Sequence, residues 1–205
     1  SPIMKDAQRK LSKRYGDANF EDFVAKGYLP EAIVNYIALL GWCPKTNKEK
    51  MTIEEMIEEF DVDGISKSPA IFDEAKMRWL NGEYLKAMTP DEFYKVSLPY
   101  ILKSKAGGKF NDYEISRLMQ TRVDVLSDIP EKIDFLVDFD EYDVNMYVHQ
   151  KMKVDFNVAK RALKVAFDAL TGLDDWTEDA IKEAMKSSAE ANGMKGGQVM
   201  FSVRV

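Results

Sequence analysis

A chain of 205 residues, 45% of them hydrophobic, can form one large domain or two small ones around a sizeable core. Its formal charge of −6 excludes a generic polyanion binder, so any nucleic-acid contact must come from local basic patches on an acidic background. Cys43, the sole cysteine, excludes an internal disulfide, while His149, the sole histidine, leaves a Cys/His zinc site short of ligands and a histidine-based triad with a single candidate base.

The first informative stretch is QRKLSKRYGD, residues 8 to 17, where Arg9, Lys10, Lys13 and Arg14 flank Ser12 and Gly16 closes the run. Such composition predicts a loop, able to hold a phosphate or to serve as a solvated tail. NFEDFVAKG then reads as a short helix ended by Gly27. LPEAIVNYIALLG follows as another, with Pro30 in its first turn and Ala32, Ile33, Tyr36, Ile37 and Leu40 at core spacing. In TIEEMIEEF, Thr52 and Glu55 form a capping box and Ile53, Met56, Ile57 and Phe60 an apolar stripe. DVDGISKSPAIFD carries turn chemistry at Asp63, Gly64, Ser68 and Pro69, and it precedes FDEAKMRWLNGEYLKAM, a helix that Asn81 and Gly82 are expected to interrupt. Trp79, in register with Ala75 and Phe72, is expected in the core.

TPDEFYKVSLPYILK repeats the cap logic at Thr89, Pro90 and Glu92, and KSKAGGKFND beyond it is expected to be a flexible loop at a domain boundary. Helices are predicted in DYEISRLMQTRVDVL, PEKIDFLVD, VDFNVAKRALKVAFDAL and TEDAIKEAMKSSAEANG, the last capped by Thr177 and stopped by Gly193. GGQVMFSVRV can be a strand or one more helix by propensity. The acidic runs Glu54 to Asp63 and Asp134 to Asp143 read as solvated helix faces, Met185, Met194 and Met200 as core filler, and His149 as a half-buried helical or turn residue. No stretch approaches the roughly 18 apolar residues of a membrane span, and SPIMKDAQRK lacks the apolar centre of a signal peptide, so a cytoplasmic protein with no membrane partner is expected.

KLSKRYGD, followed by GYLPEAIVNYIALLGW, ISKSPAIFDEAKMRWLNGEYL and RVDVLSDIPEKIDFLV, resembles bacterial glutamyl-tRNA synthetase from its KMSKS-type loop onward. The resemblance covers nearly the whole chain. It implies an all-α architecture, a multi-helix stem-contact region followed by a helical anticodon-binding domain. Residues 1–19 would be the signature loop, 20–106 the stem-contact domain and 107–205 the anticodon-binding domain. The family activates glutamate with ATP, Mg being expected beside it, and transfers glutamate to tRNA(Glu). By that likeness Lys10 and Lys13 are the catalytic candidates, Lys13 stabilising charge as pyrophosphate leaves, and Lys10, Ser12, Lys13 and Arg14 would together hold the ATP phosphates.

The family's first signature needs two histidines, so the chain is expected to be a C-terminal fragment that lacks the catalytic domain and ends before the anticodon surface is complete. Such a fragment would bind no cofactor and no metal by itself, would not aminoacylate alone, and would reach glutamate and ATP only through the missing domain. Its own partner would be tRNA(Glu), not DNA. Arg122 matches a position where the family places an arginine facing the third anticodon base, with pairing to Asp124 or Asp128 as the alternative. Arg78 and Lys86 fall in the stem-contact string as phosphate ligands, and Lys103, Lys105, Lys109, Lys160, Arg161 and Lys164 are further cations of that kind. The rival reading is a non-enzymatic helical interaction module that binds protein through its acidic faces, the basic stretch being a tail; an appended domain that kept only tRNA binding is a third.

Overall fold

Side chains set the helix boundaries in this computed structural model, which describes residues 3–6, 8–11, 19–138 and 141–205. Asn19 and Asp22 cap α1 (Phe20–Ala25) reciprocally, and α2 (Pro30–Gly41) begins on its proline. The expected Thr52–Glu55 and Thr89–Glu92 capping boxes open α3 (Ile53–Glu59) and α5 (Pro90–Ile101). Two-residue strands β1 (Ile3–Met4) and β2 (Ala70–Ile71) pair in parallel and form the only sheet among the described residues. Then come α4 (Glu74–Ala87), α6 (Asp112–Met119), α7 (Ile129–Ile133), α8 (Phe156–Thr171), α9 (Glu178–Ala191) and α10 (Gly196–Arg204). The architecture is helical, as expected, and GGQVMFSVRV is a helix.

The chain divides into two compact units, residues 1–140 and 141–205. In the first, α5 packs on α6, and Leu85, Phe93, Ile101, Ala106, Ile115 and Ile129 share one core. The glycine-rich segment expected to hold a domain boundary between residues 106 and 107 therefore lies inside this unit: Ala106 is fully buried in the core that joins both sides of it. A second cluster gathers Phe23, Tyr28, Ile33, Tyr36, Met77, Leu80 and Val125. In the second unit α8, α9 and α10 enclose Ala162, Val165, Met185, Ala189, Met194 and Val199, with Met200 packed against them. His149 sits in a turn closed by reciprocal backbone bonds with Val154, its ring 4.9 Å from that of Phe201.

Three expectations fail for one reason, that periodicity marks an apolar stripe without showing whether anything covers it. On α3 only Met56 is buried, against Trp42 and Met51, whereas Ile57 is 73% exposed and Phe60 also faces outward. On α2, Ala32, Ile33 and Tyr36 are buried but Ile37 is exposed. Trp79 is 42% exposed, because Met77 and Leu80 take the inner face of α4.

The Asn81–Gly82 pair does not interrupt α4; the helix runs through both, and both are buried. Asn81 Oδ1 accepts from Leu29 N–H at 2.8 Å and its Nδ2 donates to Asp124 O at 2.5 Å, so one side chain joins three separate segments. Gly82 is there because the chain at Asp124 approaches so closely that any added methyl meets the Asp124 carboxylate and lies 3.3 Å from its Cα.

The capping glutamates make stability depend on acid. Lys48 and the Thr52 N–H hold the Glu55 carboxylate below its usual range, and the Thr89 N–H and hydroxyl do the same for Glu92. A carboxylate lowered by folding contributes stability above its unfolded value, and that contribution is lost as pH falls through the folded one. The melting temperature is therefore expected to fall as the pH drops below the ordinary 4.5 of these groups. Glu92→Gln, which keeps the reach but not the charge, should show a smaller drop; equal drops in the two proteins would remove the caps from the explanation.

Candidate functional site

One face of α4 collects the cations that the sequence singles out. Arg78, Gly82 and Lys86 recur at helical spacing, and the segment Arg122 to Asp128 packs opposite through the contacts of Asn81 and Gly82. The result is an open hollow of about 420 Å³ lined by Arg78, Arg122, Asp124, Asp128, Glu131 and Lys132.

Arg78 Nη2 lies 2.6 Å from Asp128 Oδ2. Burial opposes the guanidinium's charge, but Asp128 outweighs it and raises the Arg78 pKa. Next to this pair the buried Tyr28 hydroxyl has no hydrogen-bond partner of good geometry among the described residues, although it feels the charges of both Arg78 and Asp128. Burial raises the Tyr28 pKa, so the phenol stays neutral. Arg122 is not paired with Asp124 or Asp128, the alternative weighed from sequence; its Nη1 donates to Leu118 O at 2.6 Å, one turn back. Lys86 Nζ pairs with Glu83 Oε1 at 3.0 Å, and its pKa is raised by that bond first and by the nearby Asp124 as well.

Arg78, Lys86 and Arg122, assigned from sequence to two different regions of an RNA, are thus brought to one surface, and each is charge-compensated or backbone-anchored there. Lys132 and Glu131, which sequence reasoning passed over, line the same hollow. The signal for them was present only as PEKI beginning a short helix, and no periodicity shows which way so short a helix faces.

Four of the other expected cations have local roles. Lys103 Nζ sits over the Tyr100 ring at 5.1 Å, and Lys105 reaches Asp138 at 3.3 Å. Lys164 pairs with Asp168 at 2.7 Å, and Arg161 donates to Asn192 O.

Of the N-terminal loop, Ser12, Lys13 and Arg14 lie outside the described residues. Lys10 lies within them, its side chain exposed and its backbone bridged to Met4 beside the β1–β2 pair. Lys10 is the one of the four residues expected at the ATP phosphates that lies among the described residues. Among the described residues no group of three His, Cys, Asp or Glu side chains stands together to hold a metal. No helix among them is long and apolar enough to cross a membrane.

Comparison with known proteins places the chain in a family. The family described as tRNA synthetases class I (E and Q), catalytic domain, matches residues 1–79. The anticodon binding domain family matches residues 71–205. A glutamate–tRNA ligase of Clostridium novyi (strain NT) is 47% identical over 206 aligned residues, 99% of this chain and 42% of the relative. That of Clostridium acetobutylicum is 43% identical over 203, with the same shares of the two chains. The crystal structure of a glutamate tRNA ligase from Elizabethkingia meningosepticum, in complex with its amino acid, superposes with a TM-score of 0.74 at 28% identity. It covers 98% of this chain and 43% of that one. The Elizabethkingia anophelis glutamate-tRNA synthetase gives 0.70 at 27%, over 97% and 42%. The chain spans about 42% of the length of the curated relatives it matches. It belongs to the anticodon binding domain family, in the form that glutamate–tRNA ligases carry.

Proposed function

We propose that this chain is the tRNA-binding portion of a cytoplasmic glutamate–tRNA ligase, an enzyme that activates glutamate with ATP and transfers it to tRNA(Glu). The observation that carries the reading is the meeting of Arg78, Lys86 and Arg122 on one side of α4, where the two family matches adjoin. Of the sequence-based roles, stem contact would lie towards residues 20–106 and anticodon binding beyond, within units whose packing does not follow that line. ATP, held with Mg in the whole enzyme, would meet Lys10, Ser12, Lys13 and Arg14 at its phosphates, and its anhydride supplies the energy for activating the carboxylate. Lys10, Lys13 and Arg14 would supply cations and Ser12 a hydroxyl, there to orient the phosphates and offset their charge.

Binding of a tRNA(Glu) transcript to the purified chain across a salt series tests the reading. Affinity should fall steeply with salt, each phosphate contact contributing about 0.7 to 0.9 to the slope, and Lys86→Ala should lower that slope by about one contact. No RNA affinity at low salt would sink the proposal. It would favour docking of a protein partner on α3, where Ile57 and Phe60 stand exposed among carboxylates.

Two further outcomes belong to the same reading. This chain alone should show no glutamate-dependent pyrophosphate exchange, since its described residues hold only a two-stranded sheet and no mononucleotide-binding one. Measurable exchange would contradict this. In the full-length enzyme, Arg122→Gln should relax discrimination at the third anticodon base by about 1 to 3 kcal/mol, and unchanged discrimination would remove Arg122 from that role.

A further inference from the structure

Ile53 and Ile57 stand one turn apart on α3, and Phe60 and Val62 follow just past its end. All four are exposed, Val62 by 69%, and Phe60 by 55% although its ring lies 5.8 Å from that of the buried Trp42. Phe60 and Val62 line an open hollow of about 570 Å³ with Lys45, Thr46, Glu58, Glu59 and Asp61. A lone exposed apolar side chain is ordinary. Four together, beside the core of Trp42, Met51 and Met56, make a patch of the kind that a partner covers.

The charges at its border select the partner. Asp61 is met by Lys45, and Glu59 accepts from the Thr46 hydroxyl at 2.6 Å. The carboxylates of Glu58 and Asp63 have neither a cation nor a hydrogen-bond donor among the described residues. Such a rim repels RNA and an anionic membrane alike, and attracts lysine and arginine. No residue lines both this hollow and the one at Arg78 and Arg122, so the patch is a second surface, independent of the tRNA-binding reading.

We infer that the α3 patch docks a basic amphipathic helix of a partner protein. The apolar stripe of that helix lies on Ile57, Phe60 and Val62, and its flanking lysines or arginines meet Glu58 and Asp63. The stripe on α3 is short, so the contact is of the small, transient class.

The test uses a fluorescent peptide of leucine and lysine alone, about four helical turns long, with its leucines on one face. This chain should bind it saturably. Ile57→Ser should weaken binding roughly tenfold, as loss of an interface anchor does, while the exposed position and the similar helix propensities of the two residues leave the fold intact. Glu58→Gln should weaken binding a few-fold and reduce its dependence on salt. Asp174→Asn, which removes one exposed carboxylate from the second unit, should change nothing. Unaltered binding by Ile57→Ser overturns the inference, as does a loss in Asp174→Asn equal to that in Glu58→Gln, which would reduce the effect to the general charge of the chain. Equal binding of the same peptide with glutamate for every lysine also overturns it. Two other occupants have their own signatures in the same experiments. Self-association of this chain that Ile57→Ser abolishes would give the patch to a second copy, and failure of the full-length enzyme to bind a peptide that this chain binds would give it to the enzyme's own remainder. Either result refutes a partner protein there.

Discussion

Asn81→Leu is expected to lower the stability of the first unit by about 2 to 5 kcal/mol, the sum of two buried groups left without partners. The Leu29 N–H loses its acceptor and the Asp124 carbonyl its donor, both in a region where water does not reach the side chain. Leucine matches asparagine in size and is the better helix former by a few tenths of a kcal/mol, so propensity cannot rescue it. Asn81→Asp separates the two bonds, because it keeps the acceptor for Leu29 and loses the donor to Asp124 at the cost of a buried charge. Denaturant unfolding followed by helical circular dichroism is the measurement, with Trp42 and Trp79 reporting on the first unit and Trp176 on the second. A loss below ~1 kcal/mol would show that water replaces both bonds.

Gly27→Ala should cost about as much by a different route. The residue has φ of +90°, a conformation that costs a side-chain-bearing residue about 1 to 2 kcal/mol. An added Cβ would also stand 2.7 Å from the Leu126 Cβ and 2.9 Å from the Tyr100 hydroxyl. The nearer neighbour cannot swing aside, since Leu126 is buried and its N–H donates to the Gly27 carbonyl, so overpacking adds about another 1 to 3 kcal/mol. Gly41→Ala is the control: nothing lies within 4 Å of its Cβ position and it ends α2, so the change should be neutral or stabilising by up to about 1 kcal/mol. Equal stability of Gly27→Ala and wild type would mean the α1–α2 corner can move away from Leu126.

Much of the helical plan was legible because it is local. Thr52 with Glu55 and Thr89 with Glu92 lie within one turn of each other, and Pro30 and Pro90 are favoured in a first turn, so the order of residues suffices to place those ends. Burial was not legible in the same way. Trp79 and Ile57 sit on apolar stripes that nothing covers, and Asn81–Gly82 carries the composition of a breaker while acting as the contact point of a continuous helix. What overrides the local preference there is an approach from Asp124, more than forty positions further on, which no pattern along α4 announces. The candidate site divides along the same line. Arg78, Lys86 and Arg122 could be named from their strings, but their convergence, and the carboxylates that answer them, come only from α4 meeting the segment before α7.

The bond from Asn81 back to Leu29 joins the stretch matched by the catalytic-domain family to the stretch matched by the anticodon-binding family. The border that evolutionary bookkeeping draws near residues 71–79 therefore runs through a shared interior. A polypeptide excised at that border would leave Met77, Leu80 and Asn81 stripped of Phe23, Tyr28, Leu29 and Ile33. It should be recovered as an aggregate, whereas one begun upstream of α1 keeps that interior intact.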